Sequence, residues 1–146
     1  MEISIVVPKD YRNQLQKMGN TIAKNIAVMA RDAITTEAAY AVDMFYAAYT
    51  PRYYKRKNTL YQSFRKYYKN PHGSRFHGGV EFSASGMADV HHDSPSQVLS
   101  TSLSGYHGRT SRGIYTEPTI YDHVVRFRDS LFANIGALHA TGAFGV

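Results

Sequence analysis

The chain has 146 residues, 43% hydrophobic and 19% charged, values of a single globular domain large enough to bury a core rather than of a disordered segment. It contains no cysteine, which excludes a disulfide framework, thiolate metal sites and a cysteine nucleophile. Seventeen Lys plus Arg against eleven Asp plus Glu give a net charge of +6, and the excess is concentrated in one stretch. Between Asp43 and Glu81 there is no acid but eight bases: Arg52, Lys55, Arg56, Lys57, Arg65, Lys66, Lys69 and Arg75. Seven of the 12 tyrosines lie between Tyr46 and Tyr68, in the same stretch.

Glu2–Val7 reads EISIVV, a β-branched run stopped by Pro8, and predicts a strand. It is too short, and lacks the basic start, for a secretion signal; with no membrane-length apolar run, the expectation is a soluble chain made in a reducing cytoplasm. From Asp10, a plausible helix cap, apolar residues recur in steps of three and four: Tyr11, Leu15, Met18, Ile22, Ile26, Met29 and Ala33. From Ala27 the apolar stripe widens to include Ile34, Ala38, Ala41, Val42 and Phe45. Such a stripe is expected to serve both the chain's own core and a subunit contact. Unbroken to Tyr49 the helix would be ~60 Å long; Gly19-Asn20 is a place for a kink, and Thr50-Pro51 ends it.

Arg52–Asn58 is basic and polar and predicts a loop, whereas Leu60–Tyr68 fits a strand or a helix. Val80–Ser85 alternates and predicts an internal strand closed by Gly86. A long loop is expected at about 88–117, with one short helix around Gln97–Leu103. Pro118 suits the first turn of a last helix bearing Tyr121, Val124, Leu131, Ile135 and Leu138, followed by a flexible tail. The whole predicts one α+β domain over residues 1–146, its long N-terminal helix and its C-terminal helix packed on a small antiparallel sheet.

Sites of chemistry are weak. Asp89, His91, His92 and Asp93 form the densest set of metal-ligand types, with His72, His77 and His107 elsewhere, yet no two histidines stand at helical ligand spacing. Gly105-Tyr106-His107-Gly108 lacks the ending of a phosphate loop, no Gly-x-Ser-x-Gly elbow occurs, and the acids are scattered. The expectation is no enzyme, no cofactor and no metal. The Tyr/Lys/Arg segment is the stronger feature, because tyrosines can stack bases while cations neutralise phosphates. Tyr and Arg also favour protein interfaces. The partner- or DNA-facing candidates are Arg52, Lys55, Arg56, Lys57, Arg65 and Lys66; the subunit-interface candidates are Ile34, Ala38, Val42, Phe45, Tyr53 and Tyr54.

One order of features gives these residues a context. It runs from Tyr49-Thr50-Pro51 through Tyr53-Tyr54-Lys55-Arg56, Leu60 and Ser63 to His77-Gly78-Gly79-Val80-Glu81, then Gly105-Tyr106-His107-Gly108 and Pro118. This order resembles the head–tail joining and tail-completion (neck) proteins of tailed bacteriophages, over roughly residues 10 to 135. Many members carry a glycine before the leucine that follows the proline; here Asn58-Thr59 stands there. The resemblance implies a structural virion protein of the neck or upper tail, made in the host cytoplasm. It would assemble as a homo-oligomeric ring between head connector and tail, contact other neck and tail proteins, and let DNA pass without sequence-specific binding or any membrane contact. The alternative is a small basic non-specific nucleic-acid-binding protein.

Overall fold

A computed structural model describes residues 1–6, 20–50, 58–70, 75–87, 94–107 and 114–140. The chain is an α+β domain with a long helix from its N-terminal part and a C-terminal helix on a three-stranded antiparallel sheet. Strand β1 spans Glu2–Val6, β2 Phe64–Lys69 and β3 His77–Phe82, in the order β1-β3-β2. Helix α1 spans Asn20–Ala47, α2 Pro95–Leu103 and α3 Ile120–Ala140.

The period-2 pattern of β1 puts Ile3 and Ile5 on the inner face, opposite Val80 and Gly78 of β3. On α1, Ala23, Ala27, Ala30, Ile34, Ala38, Ala41, Val42 and Phe45 form the buried face, their steps of three and four matching 3.6 residues per turn. Small side chains dominate it and bring the helix close to the sheet. The contact is tightest at Gly78, where a Cβ would lie 1.8 Å from the Ala27 carbonyl oxygen. Glycine within a strand therefore marks close approach of another backbone and not a turn. Ile120 and Val124 of α3 close the same core from the side of β1.

Several boundaries differ from the sequence expectation. Leu60–Tyr68 divides into a 3-10 turn at Thr59–Gln62 and then β2, with Asn58 in the left-handed region at φ 54°. The internal strand begins at His77 and ends at Phe82, not Val80–Ser85, because Gly78 and Gly79 fit under close neighbours; Ala84–Gly86 is a second 3-10 turn. Helix α2 begins at Pro95, behind a capping box in which the Ser94 hydroxyl accepts from Gln97 N and Gln97 Oε1 accepts from Ser94 N, both at 3.3 Å. Pro118, expected in the first turn of the last helix, precedes it across a cis Glu117–Pro118 bond; the Thr119 hydroxyl caps α3 by accepting from Asp122 N at 3.0 Å. Tyr121 points outward, and Ile120 takes the core position. The expected helix start at Asp10, the break near Gly19, the Arg52–Lys57 loop and the tail at 141–146 lie outside the described residues.

Candidate assembly surfaces

The predicted site residues separate into three groups. Ile34, Ala38, Val42 and Phe45 lie at 0%, 0%, 1% and 4% exposure inside the chain's own core, so none of them is open to a second subunit. Periodicity marked the buried face of α1 from Ile34 to Phe45 but not before it: Ile22, Ile26 and Ala33 are half-buried and Met29 is exposed, while the smaller Ala23, Ala27 and Ala30 take the positions against the sheet. The large apolar side chains that α1 turns outward are Met29, Tyr40 and Met44, exposed by 70%, 53% and 41%. Their spacing of eleven and four residues aligns them on one side of the helix, where a partner could cover them.

Arg65 and Lys66 sit exposed on β2, together with Lys69. All three cations are engaged within the chain. Arg65 Nε meets Glu81 Oε2 at 2.9 Å on β3, Lys66 Nζ meets Asp32 Oδ1 at 3.1 Å on α1, and Lys69 Nζ meets Glu2 Oε2 at 3.0 Å on β1. An acid-free stretch of sequence is thus matched in space by acids from three other elements. Arg31 and Lys66 together hold the Asp32 carboxyl below its ordinary value. Arg52, Lys55, Arg56, Lys57, Tyr53 and Tyr54 lie outside the described residues.

The outer face of the sheet, turned away from α1, is polar. Its rows are Glu2–Glu81–Arg65, Ser4–Gly79–Tyr67 and Val6–His77–Lys69. The Tyr67 ring is 8% exposed although it lies on this face. Burial, then the neighbouring Glu2 carboxylate, raise the Tyr67 phenol above its usual range. Tyr67 and Lys69 in turn hold Glu2 below the usual carboxylate value, and the Lys69 ammonium lies 5.1 Å from the Tyr67 ring centre.

The Gly105-Tyr106-His107 stretch is a structural joint. Gly105 adopts φ 91°, where a Cβ would meet Thr116 O at 2.6 Å. Its carbonyl accepts from Thr116 N at 2.7 Å, and a Tyr106–Tyr115 bridge follows. His107 stacks on Phe45 at 3.8 Å between ring centres and shares a 2.6 Å hydrogen bond with the Thr116 hydroxyl. Histidine here fastens the expected long loop to the end of α1. A second polar joint, between His123 of α3 and Glu37 of α1 beside Tyr40, had no signal in the sequence, since its members are 86 residues apart.

An open groove of about 680 Å³ runs between the sheet end and α2, lined by Phe82, Ala84, Ser96, Leu99, Ser100 and Tyr121 among others. Among the described residues no group of three metal-ligand side chains forms, and no helix is long and apolar enough to cross a membrane. His72 and the Asp89–Asp93 set lie outside those residues. Comparison with family models, with curated proteins and with solved structures finds no match for this chain.

Proposed function

We propose that the chain is a non-enzymatic structural subunit of a phage neck or upper tail, assembling as a ring that joins the head connector to the tail. The observation that carries this reading beyond the order of sequence features is the outward stripe of Met29, Tyr40 and Met44 on α1. Three large apolar side chains aligned on the longest helix suit a neighbouring protein that removes them from water. The internal pairing of Arg65, Lys66 and Lys69 adds support, because phosphates would have to displace carboxylates already in place.

The test is the mass of the purified chain, alone and in particles. A ring of defined copy number, or a fixed low copy number in virions, is the expected result. Met29→Asp with Tyr40→Asp should block joining while leaving the free subunit folded, since both positions are exposed. Charge reversal at Arg52 and Arg56 should likewise block joining, with only weak duplex binding by the wild-type chain. Sub-micromolar duplex binding by the monomer at physiological salt, with affinity falling by ~0.9 log unit per log unit of salt for each phosphate contact, would overturn the reading. It would establish the nucleic-acid binder instead.

A further inference from the structure

Among the described residues, the three-stranded sheet ends in an unpaired strand on both sides. In the antiparallel pairing of β1 with β3, Met1 exchanges both backbone bonds with Phe82, donating to its oxygen at 3.0 Å and accepting from its nitrogen at 2.7 Å. That parity directs the backbone groups of Ile3 and Ile5 toward β3, and those of Glu2, Ser4 and Val6 away from it. On the far side, β3 turns the alternate residues His77, Gly79 and Glu81 to β2, which leaves Phe64, Lys66 and Tyr68 facing outward. Among the described residues nothing pairs with either outward row.

We infer that β1 of one copy pairs with β2 of the next, extending the sheet from subunit to subunit. The inference rests on the ring reading for its partner, a second copy of this chain. Three features of the two edges match. They are of nearly equal length, five and six residues, with three outward residues each. Both run antiparallel to β3 and so parallel to each other, so a copy in the same orientation presents β1 parallel to β2. Their charges do not repel, since β2 carries Arg65, Lys66 and Lys69 with no acid, each paired within its own chain, and β1 carries Glu2 with no base. Continuing the rows of the sheet sets Glu2 of the second copy beside Arg65, its Ser4 beside Tyr67 and its Val6 beside Lys69.

Lys66 is the side chain that would guard such an edge, as lysines commonly do. Its ammonium is drawn instead to Asp32 of its own α1. The two edges are different surfaces, so the contact is head-to-tail. Repetition of a head-to-tail contact closes a ring when the rotation permits, whereas a two-fold contact stops at a dimer.

The chain contains no cysteine, which makes single-thiol cross-linking clean. Val6→Cys and Lys69→Cys place thiols on exposed positions of the two edges. Under mild oxidation, a mixture of the two single variants should give a disulfide-linked heterodimer that neither gives alone, and the double variant should give a ladder of oligomers. Ser4→Pro removes one outward N–H without touching the bonds of Ile3 and Ile5 to β3. It should weaken self-association at least tenfold with an unchanged circular dichroism spectrum, and Lys66→Pro should do the same from the other edge. Cross-linking of the Lys69→Cys or the Val6→Cys chain with itself would show a two-fold pairing and overturn the proposal, as would a wild-type chain that stays monomeric throughout. Rings that survive Ser4→Pro would sink the edge pairing and leave the neck reading standing. Particles that join normally after Ser4→Pro has dispersed the rings would sink the neck reading and leave the pairing.

Discussion

The two faces of the sheet are held by different physics. On the inner face, Ile3, Ile5, Val80 and Phe82 meet the alanine-rich side of α1, and the contact is set by shape. On the outer face, Glu2, Glu81, Arg65, Tyr67 and Lys69 meet one another, and the contact is set by charge and by one buried phenol. Close packing tolerates no added atom, since an interior at crystal-like density has nowhere to move it. Ion pairs at a wet surface tolerate much, because water replaces what a mutation removes. One sheet, read from its two sides, therefore yields a rigid scaffold facing inward and an adjustable surface facing outward.

The largest expected effect breaks the inner face. Gly78→Val places atoms where a Cβ alone would stand 1.8 Å from the Ala27 oxygen. The helix must then lift from the sheet, and a loss of at least about 3 kcal/mol is expected, at the upper end of overpacking costs; urea unfolding measures it. Next is Ile34→Ala, which empties a fully buried position between α1 and the sheet. The expected loss is about 3 kcal/mol, with an unchanged helix signal in the far-ultraviolet spectrum. An effect below about 1 kcal/mol at either position would show that the inner face is looser than described.

The outer face gives smaller and pH-dependent effects. Glu2 titrates below its unfolded value because Tyr67 and Lys69 favour its charged form. Its contribution is full above the ordinary carboxylate value near 4.3 and is lost as pH falls through the lower folded value. Tyr67 is shifted upward, so its contribution is full below the ordinary phenol value of about 10 and is lost as pH rises toward the folded value. Stability measured from pH 8 to 11 should fall more steeply in the wild type than in Tyr67→Phe. Glu2→Gln should flatten the acid limb by less than about 1 kcal/mol, because the pair with Lys69 is partly exposed. Curves that superpose on the wild type would remove this network from the stability of the sheet.

The order of tyrosine, glycine and histidine signals located the joints of the chain more readily than their purposes. The described part of the Gly-Tyr-His-Gly motif, Gly105 to His107, turns the chain, as composition indicates. Composition could not disclose that the imidazole lies flat on Phe45, 62 residues earlier. Gly78 and Gly79 are ambiguous in one dimension, because a strand pressed against a helix and a turn both ask for a missing side chain.

What the sequence determined by itself is what local physics controls. The β-branched run of Glu2–Val6 fixes a strand, and steps of three and four from Ile34 to Phe45 fix the buried face of the second half of α1. Each of these depends on neighbours within a turn or two of the chain. Only the tertiary structure decided which apolar residues stay outside, which cations find acids, and which strands lie at the sheet edge. Met29 and Ile34 are both apolar residues of one helix, but the sheet covers only the second. Arg65, Lys66 and Lys69 are a run of positive charge in sequence and three ion pairs in space, since Glu81, Asp32 and Glu2 arrive from 16, 34 and 67 residues away. Coulomb attraction and burial depend on distance through space, and chain position constrains that distance only over a few residues.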